Sequence, residues 1–578
     1  MVSSVLSVSA RGVVLTGMLV MGGMEGISFA QIPFPPPPPK LPEKLPAPPP
    51  PPPVLPPVPP ESPKAAPSPP VKVFIHDIQV VGKTVLSDEE LNAVIKRYRG
   101  RELTTEDMEA LRLELTLLYV NRGYVTSGAI IPDQTMTFNV LKIQIIEGAL
   151  SRIDVEGNDW LWSGYVRNRI ELGVTKPVSV YPLQERLQLL QRDPHIEQLN
   201  AELKPGTAPG ESTLNVRVKE APLFHARFEF NNYQSPTVGS EQGLVTVEDT
   251  NVTGLGDSLS FQYGQSSGII PIINGRYALP LNRFDTTFIA TYRKFDFKVV
   301  DSNFESLDIR NDAFIYGLGL RQPLYHTLQD DIAISLTGEY EKNTSTLLGQ
   351  PFEFVAGATN GVFRVASLRF AQEYTHQTTS QVVAAYSRFS LGVGALGATG
   401  SSSVPNSATG QFFSWLGEAQ WVRQLPLLRT QMVARTTMQF SNEHLFPLEQ
   451  IAVGGRYSVR GYREYTFVRD NGYLGSLEFR VPVFTTANGM DRVHLAPFVD
   501  VGRSWNTGVS NTVNTTPLAP GSKLDRDTLA SVGIGLLITF TETSRFEVYW
   551  GQQLNHLTEG TGNLQDHGVH LQLVVQVF

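Results

Sequence analysis

From Leu223 to Phe578 the chain reads as short segments in which apolar and polar side chains alternate, broken by turn signals and without helical periodicity. Val493, Leu495, Val499 and Val501 take one parity, and His494, Ala496, Phe498, Asp500 and Gly502 the other. Phe546, Val548 and Trp550 oppose Arg545, Glu547 and Tyr549 in the same way. Val569, Leu571, Leu573, Val575 and Val577 likewise oppose His570, Gln572 and Gln576. Period-two alternation over about ten residues is the signature of a transmembrane barrel. A soluble β-sandwich alternates too, so loop lengths must decide. Sixteen strands are predicted, with centres near 228, 247, 260, 276, 290, 316, 336, 368, 388, 416, 435, 477, 498, 534, 549 and 573. Every second connection is short: Thr253 to Gly256, Leu281 to Arg283, Thr375 to Ser380, Leu425 to Leu428, Thr485 to Met490 and Thr541 to Thr543. The intervening ones include long loops at Asn343 to Gly361, Ser441 to Asp470, Ser504 to Asp527 and Asn555 to His567. Short turns at one rim and long loops at the other belong to a membrane barrel. A sandwich has no reason to sort its loops by parity.

The upstream third is built differently. Residues 1–30 read as a secretory signal peptide, with Arg11 ahead of an apolar run from Val13 to Met21 and small residues at Ser28 and Ala30. The run is too short for a spanning helix, which needs about 20 apolar residues. Residues 31–71 form a proline-rich linker that favours extended polyproline II and builds no core. Two units of β-α-α-β-β order follow, at 72–148 and 149–222. In the first, Val73 to Val80 is a strand, and Ser87 with Glu90 makes a capping box opening a helix to about Arg97. Thr104 starts a second helix with Leu111, Leu115, Leu118 and Tyr119 on one face, stopped by Gly123. Strands are predicted near Val125 to Ile131 and Phe138 to Ile146. In the second unit, Leu150 to Val155 is a strand, Leu161 to Leu172 and Pro182 to Gln191 are helices, and Leu199 to Leu203 and Ser212 to Val218 are strands. The class is therefore α+β upstream and all-β downstream.

The chemistry of the side chains narrows the function. Net charge is -8, with no basic patch of the kind nucleic acid requires, so no nucleic-acid partner is expected. There is no cysteine, hence no disulfide, thiolate metal site or cysteine nucleophile. The ten histidines are scattered, with no zinc-protease helix motif, and there is no nucleophile elbow. No phosphate-binding loop appears. Neither catalytic residues nor a metal or cofactor are expected, and the chain is not read as an enzyme.

The longest loop, 441–470, carries Gly454-Gly455-Arg456-Tyr457-Ser458-Val459-Arg460-Gly461-Tyr462-Arg463-Glu464. A later strand carries Phe498-Val499-Asp500-Val501-Gly502. The first resembles the VRGY motif, and the second the F-x-D-x-G motif, of the two-partner secretion transporters, the TpsB branch of the outer-membrane assembly and secretion barrels (hemolysin secretion/activation type). The tandem units resemble that family's two POTRA domains, and Leu203-Lys204-Pro205-Gly206 with Leu214-Asn215-Val216-Arg217-Val218 is similar to the end of its second one. The resemblance covers residues 72 to 578 in order. It implies an outer-membrane translocator with its POTRA domains in the periplasm, a secreted exoprotein client held in extended form, outer-membrane lipids and the barrel-assembly machinery as partners, and a monomer. A barrel-insertion factor of the same superfamily and a passive channel are the alternatives. Family members often carry a lumen-plugging helix before the POTRA domains; no amphipathic helix appears between Gln31 and Pro70.

The motif residues also make physical sense together. Asp500 has lumen parity, and Gly502 removes a side chain so that another segment can approach. A loop folded back into the lumen would place Arg460 there, where its planar fork matches a carboxylate. Val459, Arg460, Gly461 and Tyr462 are thus the predicted loop tip, and Phe498, Asp500 and Gly502 its partner on the wall.

Overall fold

Helices and strands form where local chemistry and burial agree. The chain is seen in a computed structural model that describes residues 41–42, 72–404, 406–508, 528–557 and 562–577. The signal peptide, most of the proline tract and the terminal Phe578 lie outside the described residues. In the first unit β1 (Val73–Ile75) and β2 (Asp77–Val81) precede α1 (Asp88–Ile95), β3 (Arg101–Leu103), α2 (Thr105–Val120), β4 (Gly128–Ile130) and β5 (Val140–Ile146). The Ser87–Glu90 capping box closes, and a second one forms between Thr104 and Asp107. The Ser87 N–H donates to Glu90 Oε2 at 3.0 Å, and the Thr104 N–H to Asp107 Oδ2 at 2.9 Å. This satisfies amides that a helix start otherwise leaves bare. Leu111, Leu115 and Tyr119 of α2 are fully buried against Ile75, Leu141 and Ile143.

Two details differ from the sequence reading. The first strand breaks at His76, so that β1 pairs with β3 while β2 pairs in parallel with β5. The three-residue β3 is too short to show any alternation, and sequence reading passes over it.

The second unit has the predicted β-α-α-β-β order, without a counterpart of β3: β6 (Ala149–Glu156), α3 (Ser163–Ile170), α4 (Val180–Gln191), β7 (Ile196–Pro205) and β8 (Glu211–Glu220). Its sheet runs β6-β8-β7, with β6 parallel and β7 antiparallel to β8. Val166, Ile170, Leu183 and Leu187 of the helices bury against Leu214 and Val216 of the sheet.

The barrel begins with β9 (Phe224–Asn231), β10 (Gln242–Asp249), β11 (Ser258–Ser266), β12 (Ile269–Pro280), β13 (Thr287–Lys298), β14 (Arg310–His326) and β15 (Asp330–Leu347). After the loop strand β16 (Gln350–Pro351) come β17 (Val362–Gln377), β18 (Gln381–Gly392), β19 (Phe413–Gln424) and β20 (Gln431–Ser441). The loop strands β21 (Ile451–Val453) and β22 (Phe467–Arg469) precede β23 (Asn471–Thr485), β24 (Asp491–Trp505), β25 (Thr528–Thr539), β26 (Ser544–Gln553) and β27 (Val569–Gln576). Setting aside the three loop strands, sixteen antiparallel strands close on themselves through β27 and β9. Each of the sixteen predicted centres falls inside one of them. Closure leaves no unpaired edge, which a chain in lipid requires because the bilayer core offers backbone groups no partner. β14 and β15 are 17 and 18 residues long, well beyond the about 9–11 that a tilted strand needs to cross. For that reason β15 runs on to Leu347, into what sequence reading treats as loop.

The second unit docks under the short turns. The Trp162 N–H donates to the Gly254 carbonyl at 2.7 Å, and Arg192 Nη1 to the Leu328 carbonyl at 2.7 Å. Arg169 pairs with Asp285 through Nε at 3.0 Å while its guanidinium stacks 3.4 Å from the Tyr165 ring centroid. Beside them His195 Nδ1 lies 2.5 Å from Asp193 Oδ1, and the Tyr165 hydroxyl donates to Asp193 Oδ2 at 2.7 Å.

Burial opposes a charged His195, but the hydrogen bond and charge of Asp193 and a bond to the Thr250 backbone outweigh it and raise its pKa, against a smaller push from Arg169. Burial likewise opposes the Asp193 carboxylate, yet His195 and Tyr165 hold its pKa low. The His195 contribution is complete below the ordinary histidine pKa and is lost as pH rises through the raised one; the Asp193 contribution is lost as pH falls through the lowered one. Amide-exchange protection of the β10–β11 turn, corrected for intrinsic rates, is therefore expected to hold between those limits and to fall on both sides. His195→Gln is expected to abolish the alkaline fall.

Candidate functional site

The long loop between β20 and β23 does not project from the barrel; it folds back into it. Parity explains why it can stay. Many lumen-facing side chains of β20, β23, β24 and β26, among them Arg435, Ser476, Glu478, Asp500 and Glu547, are polar, so a polar loop entering there meets partners. Arg460 is 1% exposed and is the largest fully buried side chain among the described residues. Its Nε and Nη2 donate to the two oxygens of Asp500 at 2.8 Å each, a bidentate fork, and its backbone N–H adds a third bond at 3.0 Å. Nη1 pairs with Glu478, and Nη2 also donates to Ser476 Oγ at 3.0 Å. The guanidinium lies 3.6 Å from the Phe498 ring centroid and 4.9 Å from that of Tyr549. A buried cation is tolerated only when paired and hydrogen-bonded, and here both conditions are met several times over.

The neighbouring motif residues fit the tip to the wall. Gly461 adopts φ +94°, and a Cβ there would stand 2.7 Å from the Gly551 carbonyl on β26. A Cβ on Gly502 would stand 2.8 Å from the methyls of Val459 and Val453, so that glycine is the recess into which Val459 packs. Tyr462 is fully buried, its hydroxyl 2.9 Å from the Ala530 carbonyl and 2.8 Å from that of Asn555. All seven residues singled out in the sequence thus meet in one cluster.

Several residues of the cluster escape sequence reasoning. Glu478 and Ser476 share the lumen parity of their strand, and that was the available signal. Further along the loop Arg456 reaches Glu547 through Nη2 at 3.1 Å, and Arg463 pairs with Asp566. At the loop base Glu449 is buried against Arg369 of β17, with Nη2 to Oε1 at 2.6 Å, and Arg369 Nε also holds Glu339 at 2.8 Å. One more contact concerns the proline tract. Gln420 faces the lumen from β19 and donates Nε2–H to the Pro42 carbonyl at 2.7 Å, which puts this part of the tract inside the barrel.

The family model described as haemolysin secretion/activation protein ShlB/FhaC/HecB matches residues 210–535, more than half of the chain. The chain belongs to this family. A model for the POTRA domain, ShlB-type, matches residues 73–148. The outer membrane transporter CdiB of Dickeya dadantii is 21% identical over 401 residues, covering 68% of this chain and 69% of that protein. The heme/hemopexin transporter protein HuxB of Haemophilus influenzae is 25% identical over 244 residues, covering 41% and 42%. Among solved structures, CdiB from Escherichia coli overlays with a TM-score of 0.62 at 20% identity, over 89% of this chain and 92% of that one. BamA from Haemophilus ducreyi lacking POTRA domains 1–3 overlays at 0.54 with 13% identity, over 87% and 100%. These overlays establish a shared fold. The chain is an outer-membrane transporter whose barrel sits in the membrane and whose POTRA region lies in the periplasm.

The geometry ranks substitutions in the cluster. Arg460→Ala strands Asp500 and takes from Glu478 one of its two cations, leaving it Arg480 at 2.6 Å, whereas Asp500→Ala leaves Arg460 still paired with Glu478 and Ser476. Removing one partner of a buried pair costs about 3–5 kcal/mol. Arg460→Ala is expected to lower the unfolding midpoint of the inserted barrel more than Asp500→Ala does. The double variant is expected to be little worse than Arg460→Ala, because coupled residues are not additive. Heat-modifiable gel mobility checks insertion, and denaturant titration in detergent gives the order.

Proposed function

We propose that this transporter exports a large secreted partner protein through its barrel after the POTRA units bind an extended segment of that partner. The observation that carries the reading is the loop tip. A motif-bearing loop is fixed inside the lumen by ion pairs to three separate stretches of wall, so that a chain crossing the pore has to displace it. The loop tip, Val459 to Tyr462, together with Phe498, Asp500 and Gly502, is the part of the pore that must rearrange when the partner enters. In the periplasm, the second unit's sheet ends on β6 and β7, edge strands that can accept a further strand. Backbone bonds at such an edge give affinity, and side-chain pockets on alternate residues give selectivity.

Removing residues 72–222 is expected to leave a heat-modifiable, conducting barrel that no longer releases the partner to the medium. Undiminished release by that deletion would refute recognition by the POTRA units.

The sequence holds no phosphate-binding loop, and the outer membrane has no ATP supply. Folding of the partner outside the cell is then the driving force, because formed β-structure cannot slide back. Core substitutions that slow the partner's folding are expected to leave it lodged in the barrel, detectable by crosslinking to lumen positions. An unchanged export rate would argue against this mechanism.

A further inference from the structure

The loop that joins β6 to α3 carries Asn158-Asp159-Trp160-Leu161-Trp162, and its two tryptophans are each 54% exposed. Neither enters the core of its own unit, although one edge of the Trp162 ring rests on Gly164 of α3. Leu161 between them is the residue that enters the core. Trp162 occupies the cap position of α3, where Ser, Thr, Asp or Asn would satisfy the free amides, and makes no side-chain cap bond. Two exposed indoles at that position need another partner.

The loop is tied to the place where the chain enters the membrane. Glu220, at the end of β8, accepts the N–H groups of Trp160 and Leu161 at 3.0 and 2.8 Å, and only three residues separate it from Phe224 at the start of β9. Trp160 Nε1 donates to the Asn251 carbonyl at 2.6 Å, and the Trp162 N–H to the Gly254 carbonyl at 2.7 Å. Both acceptors lie in the β10–β11 turn, at the periplasmic rim. That rim is an apolar belt: Leu255, Phe284, Tyr325, Leu427, Phe484 and Phe540 are all exposed on it or at the adjoining strand ends. Phe224 and Leu259, with outward parity just above, continue it onto the lipid-facing wall. The two tryptophans are therefore held at the depth of the belt and continuous with it. An indole, with an apolar body and one polar N–H, is the side chain that prefers the headgroup layer. Asp159 beside them suits that layer and not the acyl core.

We propose that the Asn158–Trp162 loop is a membrane anchor of the second unit, its indoles lying among the phospholipid headgroups of the periplasmic leaflet. The anchor would add lipid contact to the polar bonds that hold the unit under the barrel.

The absence of cysteine makes the test direct, since any introduced thiol is unique. The full chain is reconstituted in vesicles of phosphatidylethanolamine and phosphatidylglycerol with a nitroxide on Trp162→Cys or Leu255→Cys. Collision rates with oxygen, which partitions into lipid, and with a water-soluble nickel chelate are compared with those of Leu259→Cys on the lipid-facing wall and Glu202→Cys on β7. The oxygen-to-nickel ratio at both test positions is expected to lie several-fold above that of Glu202→Cys and to approach that of Leu259→Cys. A ratio like that of Glu202→Cys, or a label at position 162 that neither reagent reaches, overturns the proposal. A second measurement avoids disturbing the loop. Quenching of native tryptophan emission by phospholipid brominated near the headgroup is expected to lose amplitude in Trp162→Phe, and unchanged quenched amplitude overturns the proposal equally.

Discussion

A loop guanidinium buried against the inner wall of a membrane barrel is the constraint around which this structure is arranged. Stripping an arginine of water is so costly that the site must return several strong bonds, and Arg460 finds them on two adjacent strands at once. Those strands can supply them because Asp500, Glu478 and Ser476 all point inward. Inward carboxylates are permitted only because the opposite face of the same strands, Leu477, Val499 and Val501, meets lipid. The membrane therefore fixes the parity, and the parity fixes which residues a returning loop can meet. Gly502 and Gly461 then settle how near the loop comes.

The same constraint accounts for what was legible in the sequence. Lipid outside and a polar lumen inside force a period of two onto every strand, so all sixteen centres could be read from alternation. Ser87 with Glu90, and Thr104, marked the helix starts because capping is local chemistry. Elements with no period of their own were harder. Arg101–Leu103 is a strand only because β1 lies beside it, and the break at His76 exists only because β1 and β2 serve different sheets. The far end of β15 is a strand because β14 accompanies it beyond the membrane, a partnership no window of residues displays.

The site itself was legible in part. One cation on the loop and one inward carboxylate on a strand suggested a pair, and the resemblance of both segments to family motifs told which of many loop arginines to choose. Glu478 was missed because the reading matched one donor to one acceptor, whereas a guanidinium has five N–H groups and a buried one must place nearly all of them. Counting donors against inward acceptors would have recovered it. Arg369 with Glu449 gave no such lead, since nothing in the sequence says that the base of the loop reaches the β17 wall.

What holds the loop matters as much as where it is held. The strongest anchors are ionic: Glu449 to Arg369, Arg456 to Glu547, Arg460 to Asp500 and Glu478, and Arg463 to Asp566. An apolar plug of the same size would gain free energy with every buried methylene and would have to lose it all to move. Ion pairs behave otherwise. Their attraction in a low-dielectric setting is largely offset by the water they give up, so a fully paired cluster lies close in free energy to the same charges hydrated. Breaking a single buried pair is expensive, yet releasing them together into water is not, provided water enters as they part. The ionic share of the fastening is thus exact in position and inexpensive to displace as a unit, while Val459, Tyr462 and Leu448 add apolar contacts that must also part. That combination suits a pore that must stay filled when idle and still admit a chain.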